Sequence, residues 1–106
     1  MADWTEEEKQ KIWAKGTPCP PNNPKDWRKD QCGAWMHYSE YGAPSKDEPH
    51  TSYKWQIDHI KPESKGGEDI VSNARPLQWY NNDSRQNGRL KTKVTADGTK
   101  NVEVNK

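Results

Sequence analysis

Hydrophobic positions in this chain come in short clusters separated by long polar stretches, and each cluster predicts one element. The segment DWTEEEKQKIWAKG has a helix signal at each end. Thr5 and Glu8 have capping-box spacing, acids fill the first turn, and Gly16 stops the run. A helix over about 5–15 follows, docked through Ile12 and Trp13, its only large apolar residues past the first turn. The next stretch, TPCPPNNP, has four Pro in eight residues and reads as an extended loop. Over 27–42 a turn is expected near 30–33, followed by a short extended piece through Tyr38. Residues 43–52 are polar with two Pro, hence loop. Strands are expected over 53–57 and 74–77, joined by a polar loop over 62–72 that turns at Gly66-Gly67. A helix over 79–86 then ends at Asn87-Gly88.

The C-terminal part, about 89–105, reads as a hairpin around Asp97-Gly98. A two-residue loop pairing Val94 with Asn101 would put the valines on opposite faces. A three-residue loop, Ala96-Asp97-Gly98, sets Leu90 opposite Val104 and Thr92 opposite Val102, with Gly98 where a left-handed residue is wanted. The three-residue loop is the expected one.

A length of 106 residues fits one domain, 1–106, with a modest core. Hydrophobic residues make up only 28% of the chain and Phe is absent, so six Trp must carry much of the packing. Each buries roughly 150–250 Å². The net charge of +1 is unevenly spread: residues 84–106 carry six Lys or Arg and two acids, a net +4, and the rest carries −3. A basic C-terminal third suits a phosphate backbone. Two cysteines, Cys19 and Cys32, form no disulfide framework, and nothing reads as a secretory or membrane segment, so a reducing cytoplasm is the expected location.

Chemistry concentrates between Trp55 and Asn82. The run contains IDHIKP, then GGED, then NARPLQWYNN, with an Asp-His pair at Asp58 and His59, Asn73 fourteen positions after His59, and Asn82 nine further on. These residues resemble the HNH endonuclease family, which has a ββα-metal fold. Including the weaker WRKDQCGA and YG elements, the resemblance covers roughly 27–86. It implies an α+β protein with a ββα-metal core over 53–88, flanked by the N-terminal helix and the C-terminal hairpin.

Hydrolysing a phosphodiester needs an activated water, neutralisation of charge at phosphorus, and a stabilised leaving 3′ oxygen. One divalent ion, Mg²⁺ or Mn²⁺, can do the last two, and it prefers hard oxygen ligands. Asp58 and Asn82 are the expected metal ligands. Asp83 is the nearest rival to Asn82, and Asn81 and Asn87 crowd the same helix. Adjacent strand residues point to opposite sides, so His59 could act across the phosphate from the ion. An imidazole ordinarily titrating near about 6.5 is available as a general base. By the resemblance, Asn73 bridges the loop and holds the His59 region.

Arg75, Arg85, Arg89, Lys91 and Lys93 are candidates for contacting nucleic acid. Asp69 reads as a turn former, and Trp35, Trp55 and Trp79 as core. Many relatives carry paired Cys-x-x-Cys motifs for a structural zinc. The spacing of Cys19, Cys32, His37 and His50 fits no common zinc pattern, so none is expected. The expected partner is DNA, cut to 5′-phosphate and 3′-hydroxyl ends, with weak sequence preference or specificity lent by a partner protein. The resemblance also suggests a phage-like setting. A non-cleaving nucleic-acid-binding module is one rival. A colicin-like toxin nuclease is another, disfavoured because no further His follows His59.

Overall fold

The computed structural model describes residues 3–85 and 89–104. Helix α1, Glu6–Trp13, starts at the Thr5 cap, where the Thr5 side chain accepts from the Glu8 backbone and Glu8 returns to the Thr5 backbone. Its polar face is solvated, while Ile12 and Trp13 are buried. Lys15, just past the helix, donates to the carbonyls of Val71 and Ala74 and so ties α1 to the centre of the chain.

A three-stranded antiparallel sheet follows, built from β1 (Thr17–Pro18), β2 (Trp27–Lys29) and β3 (Trp35–His37). The Pro-rich stretch expected to be all loop therefore supplies a two-residue edge strand, and an edge is where proline is tolerated. Strands β4 (Trp55–His59) and β5 (Ala74–Gln78) form a second antiparallel pair, and α2 (Trp79–Asp83) leaves β5 without a connecting residue. The helix expected over 79–86 thus has Asp83 as its last residue. Gln86, Asn87 and Gly88 lie outside the described residues, as do Asn105 and Lys106. A final hairpin joins β6 (Val94–Asp97) to β7 (Lys100–Glu103).

Trp13, Met36 and Trp55 form the centre of the core, with Tyr38 and Ile57 packed against it. Four buried Trp each find an acceptor for the indole N–H: Trp13 at Pro24 O, Trp35 at Gly98 O, Trp55 at Tyr38 O and Trp79 at Pro49 O. Large rings can therefore fill the interior without leaving an unpaired donor.

The hairpin register differs from the expected one. Asp97 pairs with Lys100, Ala96 with Asn101 and Val94 with Glu103, leaving a two-residue loop, Gly98-Thr99, with Gly98 at φ 65°. A buried polar residue sets this register in place of the valine pairing. Asn101 Oδ1 accepts from Trp35 N at 2.7 Å, and its Nδ2 donates to Trp35 O at 3.0 Å. Val102 is left on the outer face, 37% exposed.

Asp30 joins the layers. One carboxylate oxygen accepts from Cys32 N and Ala34 N, the other from Gln78 N and Asn81 Nδ2. Burial pushes its carboxyl up from the ordinary range, against the pull of those four bonds.

Candidate active site

The β4–β5 register sets Asp58 and His59 beside the end of the loop that carries Asn73. Asp58 lies opposite Arg75 and His59 opposite Ala74. Gln78 ends β5 and caps α2, its side-chain oxygen accepting from Tyr80 N and Asn81 N. This fixes where α2 starts and which asparagine faces which way. Asn81 is fully buried, its Oδ1 accepting from Lys93 N and Val94 N and its Nδ2 donating to Asp30 and to Val94 O. Asn82 turns outward, its Nδ2 donating to Gln56 Oε1 at 2.7 Å.

Asn73 fastens the loop between the strands. Its Oδ1 accepts from Lys61 N at 2.9 Å, and its Nδ2 donates to the carbonyls of Lys61 and Glu68. Gly67 is pressed against the same Lys61 carbonyl, where a Cβ would lie 1.7 Å from the oxygen, so any larger residue would displace the loop.

A cleft of about 410 Å³ opens between these elements, lined by Trp4, Tyr41, Gln56, His59, Glu63 and Asn82 among others. His59 and Asn82 share it. The His59 Nε2 is in hydrogen-bond contact with Asp69 Oδ1, and the Trp4 ring lies 6.1 Å from the imidazole. A second hollow of about 370 Å³ has Lys15, Lys29, Gln31, Ile60 and Arg75 in its wall.

Asp58 is not in the wall of the cleft. It is 6% exposed, and its Oδ2 accepts from Arg75 Nε at 2.8 Å and Arg85 Nη1 at 3.0 Å. The two arginines expected to face phosphate are therefore turned inward onto a carboxylate, because a buried charge requires a partner. Of the other cations, Arg89 and Lys91 are exposed and Lys93 is half-buried. Asp69, expected to form a turn, is paired with His59. The cleft residues Trp4, Tyr41, Gln56 and Glu63 had no local sequence signal of a role.

Two groups could hold a cation. Asp58 and Asn82 offer hard oxygens of the kind Mg²⁺ and Mn²⁺ take. Among the described residues no hydrogen bond reaches Asp58 Oδ1, and Asn82 has only its Nδ2 engaged within the side chain, so one oxygen of each remains open. The donor types suit such an ion, while the guanidinium groups of Arg75 and Arg85 already sit on Asp58. The second group, His59, Glu63 and Asp69, presents one ligand atom each within 4.8 Å of one another. Cys19 and Cys32 have free thiols, and burial pushes the Cys32 thiol up. His37 binds Ser39 and His50 binds Glu103. No helix among the described residues is long and apolar enough to cross a membrane.

Compared with known proteins, residues 42–88 match the family model described as HNH endonuclease. No curated protein and no solved structure matches the chain.

Proposed function

We propose, from the HNH endonuclease match over residues 42–88, that this protein is a metal-dependent endonuclease hydrolysing DNA phosphodiester bonds on a ββα-metal core. The observation that supports it best is the shared cleft of His59 and Asn82, with the Asp58 carboxylate on the strand position next to His59. In this reading Asp58 and Asn82 hold one divalent ion, Mg²⁺ or Mn²⁺. When bound, that ion supplies Lewis acidity for the charge at phosphorus and on the leaving 3′ oxygen.

The chain's own residues do the rest. The neutral His59 imidazole takes a proton from the attacking water. The P–O3′ bond breaks as the new P–O bond forms, and the leaving 3′ oxygen takes a proton from solvent water, leaving a 5′-phosphate and a 3′-hydroxyl. Asn73 keeps the segment after His59 against the loop, so the imidazole approaches from one direction. Arg75 and Arg85 orient the Asp58 carboxylate. Arg89, Lys91 and Lys93 form a basic surface along the tail. In this reading sequence preference is weak or supplied by a protein partner, and the site of action is the cytoplasm. Relaxation of supercoiled plasmid by purified protein with Mg²⁺ or Mn²⁺, stopped by chelator, tests this reading.

A further inference from the structure

We infer that Asp69 is a positioning residue for His59: its carboxylate accepts a hydrogen bond from the imidazole Nε2–H and leaves Nδ1 as the nitrogen that accepts a proton from water. The inference rests on the reading of His59 as the general base. It goes further by naming which nitrogen reacts and what holds the ring.

An ionised carboxylate only accepts hydrogen bonds, so a ring nitrogen in contact with Asp69 Oδ1 must carry a hydrogen. In a neutral imidazole the other nitrogen then bears the lone pair, here Nδ1. Asp69 is itself held. The carbonyl before it, on Glu68, accepts from Asn73 Nδ2, while Asn73 Oδ1 and Gly67 lock the same loop to Lys61. Asn73 therefore acts at one remove, fixing the loop that carries Asp69, which fixes the ring. The Trp4 ring closes another side of the imidazole.

Glu63 lies near enough for the three side chains to be ligands of one ion. Binding of such an ion is the rival to the hydrogen-bonded arrangement.

The experiment uses the full chain labelled with ¹⁵N in its three histidines. Long-range ¹H–¹⁵N spectra at pH about 8, above the ordinary imidazole range, should show His59 protonated at Nε2, with a slowly exchanging Hε2 proton that Asp69→Ala loses. Protonation at Nδ1, or a His59 signal unchanged in Asp69→Ala, overturns the inference. These spectra require no cutting activity, so they stand apart from whether the protein is a nuclease. In the nicking assay Asp69→Ala should lower kcat by about 10- to 100-fold with KM for plasmid unchanged, and Asp69→Glu should recover part of the loss. A raised KM with kcat intact overturns it. So does a Zn²⁺ titration in which the wild type binds an ion that perturbs His59, Glu63 and Asp69 together while leaving full cutting activity.

Discussion

Arg85 Nη1 lies 3.0 Å from Asp58 Oδ2 and 3.0 Å from the His59 carbonyl oxygen, so the residue two beyond α2 is tied back to the strand that carries the Asp-His pair. Arg75 reaches the same carboxylate oxygen from the neighbouring strand. Two guanidinium groups on one nearly buried carboxylate leave a local excess of positive charge, against which any divalent ion at Asp58 must bind. Replacing Arg85 with Gln should therefore reduce the Mg²⁺ needed for half-maximal cutting by roughly three- to tenfold, the scale of one charge near a partly buried site. A Mg²⁺ titration of plasmid nicking measures it, and an increased requirement would contradict this account.

Asn81 and Asn82 are neighbours with opposite surroundings, and their alanine variants should separate cleanly. Asn81→Ala strands the backbone donors of Lys93 and Val94 and removes a partner of Asp30. Each buried group left unpaired costs about 1–3 kcal/mol, so urea unfolding should show a large loss of stability. Asn82→Ala should leave the unfolding midpoint nearly unchanged and remove metal-dependent cutting. Equal losses of stability would mean the two side chains are not divided in this way.

The strand and helix positions were largely legible because they follow from local chemistry. Thr5 and Glu8 announce a capping box that forms, and the apolar residues around Asp58 and Leu77 announce the paired strands. The hairpin register was not legible, since Asn101 chooses it through the Trp35 backbone, 66 residues away, where an argument from valine alternation has no access. The spacing of Asp58, His59, Asn73 and Asn82 directed attention to a segment that lies within the family match over residues 42–88. It carried no sign that Asp58 is clasped by Arg75 and Arg85, or that Asp69 meets His59. A loop acid and two basic residues look alike in sequence whether they face water or one another. Trp4 reaches the cleft only because α1 docks through Ile12 and Trp13, a tertiary consequence with no local pattern.

Asp30 should matter for folding and not for chemistry. Asp30→Asn keeps the shape, but its new NH₂ group faces donors that the second carboxylate oxygen now satisfies, namely Gln78 N and Asn81 Nδ2. A loss of about 2–5 kcal/mol is expected from two unsatisfied buried donors, read as a lower urea midpoint. Full stability in this variant would contradict the role of Asp30 as the joint between the layers.

The tail lysines test the nucleic-acid surface. Lys91 is exposed and Lys93 half-buried. If both contact phosphates, the Lys91→Gln/Lys93→Gln pair should weaken binding to short DNA duplexes in chelator and flatten the slope of log affinity against log salt by roughly 1–2. Fluorescence anisotropy over a salt series measures this, and an unchanged slope would assign the tail to scaffolding alone.

The most direct measurement compares wild type with His59→Ala on supercoiled plasmid, with Mg²⁺ or Mn²⁺ and with chelator, after circular dichroism has established that both are folded. The wild type should convert plasmid to nicked or linear forms only when metal is present, and the folded variant should lose that activity by at least about 100-fold. Full cutting by folded His59→Ala, or cutting by the wild type that chelator leaves untouched, would contradict a metal-dependent nuclease with an imidazole base at this cleft.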